Sequence, residues 1–186
     1  MKKVIVFLLI AIFALGLAGC TVPEPSVTPD PENENVWLCD GVVPKPDQIH
    51  VYRNGERNED LTEEEFQAIW SAVNQIFNAK WFESILIDSA TTPEDCETFK
   101  ETRFCMEFLY DDTYRTELSS SGPFRTIFFN LEEPTQDAKI SSFVYFEQDE
   151  NGEVRDRLYP DGFRTGEEIP TYRALTDAIL SALGQE

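Results

Sequence analysis

The sequence predicts an α+β domain: an antiparallel sheet of about four to five strands, with a long N-terminal helix, a short helix and a C-terminal helix grouped on one face. Three observations lead there. A stripe of apolar residues recurs at helical spacing after Leu61, several short runs alternate or carry bulky apolar groups in the middle of the chain, and tight-turn dipeptides punctuate those runs. Strands joined by tight turns pair antiparallel, and three helices are enough to cover one face of such a sheet.

The first predicted element is IHVYRNGE, residues 49–56, a strand that ends in the hairpin-forming pair Asn54-Gly55. The long helix follows. Thr62 and Glu65 have the spacing of a capping box, and Leu61 is placed to staple against Phe66. Phe66, Ile69, Trp70, Val73, Ile76, Phe77 and Trp81 then form one stripe along a helix of about 19 residues, with Glu63, Glu64 and Glu65 at the positive end of its dipole. Such a stripe is core-facing and is not a ligand platform. Thr92 and Pro93 open a short helix, as an N-cap followed by proline in the first turn. RFCMEFLYDD (103–112) reads as a strand with Phe104, Met106, Phe108 and Tyr110 on one face and Cys105, Glu107 and Leu109 on the other. FRTIFFNLEE (124–133) and SSFVYFEQ (141–148) read as two more, the former apolar on both faces like a covered central strand. A turn at Asn151-Gly152, a strand to Tyr159 and a turn at Asp161-Gly162 follow. Pro170 opens the last helix, with Tyr172, Leu175, Ile179 and Leu183 in line and Gly184 as its stop.

Before this domain lie two segments of different character. Lys2 and Lys3 precede an apolar run from Val4 to Leu17, shorter than the roughly 20 apolar residues a spanning helix needs, and Ala18, Gly19 and Cys20 follow. Residues 21–35, TVPEPSVTPDPENEN, carry four prolines and four acidic groups and read as an extended, hydrated tether of roughly 45 Å. The chain thus divides into a signal peptide over 1–19, Cys20 with a tether over 20–35, and one α+β domain over 36–186.

Leu17-Ala18-Gly19-Cys20 resembles the lipobox of bacterial lipoproteins. The resemblance implies cleavage before Cys20, a diacylglycerol thioether on its sulfur, an acyl chain such as palmitate on its amine, and a cell-membrane anchor facing the extracytoplasmic side. The segments PDQIHVYRNGE, MEFLYD, RTIFFNL and SSFVYF are similar to small uncharacterised lipoproteins of Gram-positive bacteria such as clostridia. That second likeness implies the same fold and address and carries no activity with it.

Composition narrows the functions available. The formal charge is −20, and losing Lys2 and Lys3 with the signal takes it to −22. Without clusters of Lys and Arg the chain does not release counterions from nucleic acid, and its average charge opposes lying flat on anionic lipid. Once Cys20 is lipidated, Cys39, Cys96 and Cys105 are left, which permits one disulfide of undetermined pairing with one cysteine over, and they lack the spacing of a zinc site. The chain has one histidine, His50, read as a surface-facing strand residue with no second imidazole to share a metal. SSSG at 119–122 lacks the setting of a nucleophile elbow, and phosphate-loop and dinucleotide glycine patterns are absent from the sequence. Glu147, Asp149, Asn151 and Gly152 approach a calcium-loop register, but Leu158 stands where a bidentate Glu is required.

Glu107 is the one carboxylate set among apolar strand residues. It is expected to pair with Arg103 or Arg125, or else to serve in acid–base work. No catalytic residue, metal ligand or cofactor is assigned, and the one modification site is Cys20. The reading that results is a non-enzymatic binding or interaction module, its partner a protein or small ligand and its membrane link Cys20. The alternatives are a carboxylate-dependent envelope hydrolase or transferase and an acidic immunity- or inhibitor-type protein that meets a basic partner.

Overall fold

The computed structural model describes residues 22–78, 84–86, 91–116, 122–131, 140–158, 161–164 and 172–184. Residues 1–21, with the expected signal peptide and Cys20, lie outside the described residues, as do Trp81, Pro170 and the serines at 119–121. The strands are β1 (Val27–Asp30), β2 (Asn33–Cys39), β3 (Gln48–Arg53), β4 (Glu56–Asn58), β5 (Ser84–Leu86), β6 (Phe104–Thr116), β7 (Phe124–Asn130), β8 (Ile140–Glu147) and β9 (Asp161–Arg164). The helices are α1 (Glu63–Phe77), α2 (Pro93–Thr102) and α3 (Tyr172–Ala182). The chain is α+β, as the sequence predicts.

The nine strands among the described residues belong to one sheet, in the order β1-β2-β6-β7-β8-β9-β5 with the β3–β4 hairpin attached through β3 to β6. β6 is the spine. Its first half pairs antiparallel with β3 (Ile49↔Phe108, Val51↔Met106) and its second half parallel with β2 (Val36↔Thr113 to Cys39↔Thr116), while β7 runs along the other edge. Two features of the expected sheet are thereby corrected. Among the described residues there are nine strands, more than the four to five expected, because several are three or four residues long and leave little periodic signal. One pairing is parallel, which no tight turn announces.

The tether expected over 20–35 is corrected more sharply. From Val22 on, this segment belongs to the folded domain. Val27–Asp30 pairs antiparallel with β2, Val27 opposite Cys39 and Pro29 opposite Trp37. Proline is tolerated there because β1 is an edge strand, where a missing N–H costs no ladder bond. Asp30, expected to keep the tether hydrated, is only 5% exposed and its carboxylate lies 2.9 Å from Arg115.

The helix after Leu61 has the predicted start. Thr62 accepts from the Glu65 backbone N–H and the Glu65 carboxylate accepts from the Thr62 N–H, the capping box in full. It ends at Phe77, 15 residues, shorter than expected, with Asn78 closing it. The Asn78 side chain explains the stop: its Oδ1 accepts from Val42 N and Val43 N, and its Nδ2 donates to Val43 O. α2 opens with Thr92 and Pro93 as predicted and is capped by Asp95. At α3 Gly184 takes the predicted left-handed stop, φ 65°. The Asn54-Gly55 turn has both residues at positive φ, 52° and 84°, the twist-matched hairpin turn. The strand expected up to Tyr159 is reduced to two isolated bridges, Gln148↔Val154 and Thr91↔Leu158, and Asp161-Gly162 lies inside β9 where a turn was expected.

The three helices are not grouped on one face. β-alternation splits the sheet into two sides. Ile49, Val51, Met106, Phe108, Phe129 and Phe143 point to the side covered by α1 and α3, and Phe77 meets Phe143 and Phe129 there with ring centroids 5.1 and 5.5 Å apart. Tyr52, Cys105, Phe128 and Val144 point to the other side, where Cys96 and Phe99 of α2 pack on them. α2 goes there because its single fully buried residue, Cys96, gives it a narrow apolar face suited to a small cluster.

Candidate functional site

Glu107 lies on the α2 side of the sheet, directly opposite His50 across the β3–β6 pair. Tyr52, two residues along β3 from His50, shares that face. α2 roofs the site and supplies Lys100. Glu107 is 4% exposed, and both of its oxygens are engaged: Tyr52 O–H donates to Oε2 at 2.8 Å and Lys100 Nζ lies 2.7 Å from Oε1. Lys100 also reaches Glu97 Oε1 at 2.6 Å and stands over the Tyr52 ring at 5.3 Å. His50 meets Tyr52 edge-on at 6.4 Å, and its Nε2 is 3.8 Å from Glu59, which Arg57 also holds.

The electrostatics follow from this packing. Burial pulls Lys100 down, but its hydrogen bonds to Glu107 and Glu97 outweigh that and hold it above the ordinary lysine value. Lys100 is therefore a cation at neutral pH and a poor nucleophile. Burial, then the hydrogen bond to Glu107, pushes the Tyr52 hydroxyl far up, so it is a donor only. Burial and the Arg57 charge lower His50, which is neutral at pH 7. Burial pushes the Cys96 thiol up to about 12, which removes it as a thiolate nucleophile.

Of the two partners expected for Glu107, neither is there. Arg103 stacks its guanidinium over the Phe99 ring at 4.1 Å, and Arg125 donates to the Asp111 carbonyl. His50, expected on the surface, is half-buried with a side chain only 12% exposed. Tyr52, Lys100 and Glu97 are the members that sequence reasoning missed. The signal for Tyr52 was its two-residue spacing from His50 on a strand facing Glu107, but using it requires the β3–β6 register. Lys100 needs the placement of α2, which nothing local fixes.

Chemically, the arrangement pairs opposite charges and shields Glu107. Two carboxylates flank one ammonium, and Glu107 has no open approach. An open cleft of ≈ 490 Å³ lies on the other side of the sheet, at the β3–β4 hairpin, lined by Val51, Arg53, Glu56, Arg57, Phe104 and Leu183 among others. The calcium-like window is a turn. Asp149 spends its carboxylate on the Asn151 and Glu153 backbone N–H groups at 2.8 and 3.0 Å, and Glu147 pairs with Arg155 at 3.1 Å. Among the described residues no three His, Cys, Asp or Glu side chains converge as metal ligands, and no helix is long and apolar enough to cross a membrane. Cys39, Cys96 and Cys105 are all buried.

A second polar knot fastens the start of the described chain. Asn74 Nδ2 donates to Val22 O at 3.0 Å, Trp70 Nε1 donates to Glu24 Oε1 at 3.0 Å, and Lys45 reaches the same carboxylate at 3.2 Å. The Trp70 bond and Lys45 hold Glu24 below the ordinary carboxylate range. Ser26 then donates twice to Asp40, at 2.7 and 2.6 Å, ahead of β1. Compared with protein families, characterised proteins and solved structures, the chain matches none.

Proposed function

We propose that the chain is a membrane-anchored extracytoplasmic lipoprotein whose domain is a non-enzymatic binding or interaction module. The observation that carries the address is the order of charged, apolar and small residues ending in Leu17-Ala18-Gly19-Cys20. What supports a binding role is the state of the most buried candidate carboxylate: Glu107 is held at both oxygens and shielded, and Lys100 is held as a cation between two acids. A hydrolase or transferase needs a carboxylate that reaches substrate, and Glu107 does not. The formal charge of −20 favours a basic partner, which keeps an acidic immunity- or inhibitor-type protein as the second reading.

The address is tested by metabolic labelling with a palmitate analogue. Labelling and membrane retention are expected for the native sequence and lost in Cys20→Ser; a Cys20→Ser protein that keeps both label and membrane would refute the anchor. The partner is tested by co-purification from native membranes at low and high salt. A basic protein released by salt supports the second reading, and capture indifferent to salt counts against it.

A further inference from the structure

We infer that the domain does not stand off on a stalk but is held directly against the bilayer, with the flank formed by residues 22–25, the Gly41–Pro46 loop and the outer face of α1 turned toward the lipid headgroups. This rests on the lipid attachment at Cys20 proposed above.

The first argument is reach. Val22 is already tied to Asn74, and Glu24 to Trp70 and Lys45. Pro25 is packed so closely on the loop that a Cβ at Gly41 would come within 2.7 Å of it. Only Thr21 separates this fastened segment from Cys20. Two residues of fully extended chain span at most about 7 Å. A lipid carried on Cys20 therefore brings Val22 to the headgroup layer, and the flank around Val22 comes with it.

The second argument is charge, and it is independent of the first. The chain has 35 acidic residues among 186, yet residues 66–78 of α1 and its cap contain no charged side chain. Gln67, Ala68 and Ser71 are exposed on this helix, and Gln75 is half-buried. Residues 41–46 carry one charge, the cation Lys45. The acidic residues of α1 sit in its first turn, Glu63, Glu64 and Glu65. Across residues 22–25, 41–46 and 66–78 the one acid, Glu24, is paired with the one cation, Lys45, at 3.2 Å, so the average charge that opposes lying flat on anionic lipid is balanced on the flank that carries the attachment. An acidic surface in this place would be driven off an anionic leaflet within a Debye length. A neutral one tolerates contact, and it is made of amide and hydroxyl groups that hydrogen-bond to headgroups.

The test uses the lipidated full-length protein in vesicles of phosphatidylcholine and phosphatidylglycerol that carry an energy acceptor on a headgroup. A fluorescent donor is attached at Ser71→Cys on α1 or at Thr98→Cys on α2; both sites are exposed, while Cys39, Cys96 and Cys105 are fully buried and resist labelling. α1 and α2 lie on opposite faces of the sheet, about 20 Å apart for two helix-on-sheet layers, so transfer from Ser71→Cys is expected to be at least about twice that from Thr98→Cys. Inserting about 20 Gly/Ser residues between Thr21 and Val22, with a coil span of about 25 Å, should erase the difference. Equal transfer from the two sites, or greater transfer from Thr98→Cys, in protein that floats with the vesicles overturns the orientation and leaves the anchor standing. Protein that fails to float overturns both, and a Cys20→Ser sample marks what an unanchored domain looks like in the same assay.

Discussion

Replacing Lys100 by Met is the sharpest test of the buried network beneath α2. The substitution keeps the length and apolar stem of the side chain and deletes the ammonium. Glu107, whose side chain is 6% exposed, would then keep the Tyr52 hydroxyl on Oε2 and lose its counter-charge on Oε1. Removing one partner of a buried pair costs about 3–5 kcal/mol, because the remaining charge is left uncompensated. Tyr52 stays in place and the Lys100 side chain is itself 14% exposed, so the lower end applies, about 3 kcal/mol. For a domain of this size that lowers the midpoint of thermal unfolding by roughly 6–12 °C. Glu107→Gln leaves Lys100 with Glu97 and is expected to cost less, about 1–2 kcal/mol. The double variant should be more stable than the sum of the two losses implies, with a coupling of about 2 kcal/mol in urea unfolding. Lys100 is held above its unfolded value of 10.5, so its contribution is complete below pH 10.5 and lost as pH rises through the folded value. The gap between the native sequence and Lys100→Met should therefore narrow in that alkaline range. A cost for Lys100→Met below about 1 kcal/mol, or losses that add within about 0.5 kcal/mol, would refute a buried, coupled pair.

The remaining predictions concern single groups. His50 is the only histidine, so its ring protons report one titration; the midpoint is expected below 6.5, and because the folded value is depressed, its contribution is present above 6.5 and lost as pH falls through the folded value, a loss absent from His50→Gln. A midpoint at or above 6.5 would contradict the burial behind this. The Cys96 thiol, pushed up to about 12 by burial, should stay unalkylated by iodoacetamide at pH 8 in the native protein and react on unfolding, as read by peptide mass. Its folded value lies above the ordinary thiol value of 9.0, so its stabilising share is complete below pH 9.0 and is lost as pH rises toward about 12. Phe129, 1% exposed with ring centroids 5.0 Å from Phe108 and 5.5 Å from Phe77, should cost about 3–5 kcal/mol on replacement by Ala, measured by chemical denaturation; a cost near 1 kcal/mol would mean the core on the α1 side is loosely packed.

What the sequence made legible was what is local. The Thr62–Glu65 capping box, the Thr92 cap with Pro93, the positive-φ pair Asn54-Gly55 and the Gly184 stop all depend on residues within a few positions of one another, and all are found. The facing of β6, with Met106 and Phe108 on one side and Cys105 and Glu107 on the other, also follows from a two-residue period alone. What failed is non-local. The side taken by α2, the parallel β2–β6 pair and the partners of Glu107 are decided between segments up to 77 positions apart, and no short window contains them. Arg103 and Arg125 were reasonable partners by proximity in sequence. Lys100 won because α2 passes directly over the His50–Glu107 register, whereas Arg103 lies past the end of the helix with its guanidinium on Phe99.

The proline-rich segment shows how composition misleads at an edge. Four prolines and four acids in residues 21–35 give the average character of a hydrated coil, and averages ignore which groups find partners. Here β2 offers an unpaired edge, and a strand laid on it needs donors and acceptors only on its inner side. Prolines at 23 and 25 precede the strand, and the one inside it, Pro29, lies on the outermost strand. The acids are not spent on solvation alone: Glu24 accepts from Trp70 and Lys45, and Asp30 pairs with Arg115 at 3% side-chain exposure. Those contacts turn what reads as a spacer into a clamp that fixes the start of the domain to α1. A long tether would let the domain turn freely above its anchor. With the lipid proposed at Cys20, a clamp beginning two residues later removes that freedom, and the orientation inferred above then follows from the fold itself: the α2 side, with the shielded Glu107 network beneath it, is the side turned away from the proposed attachment.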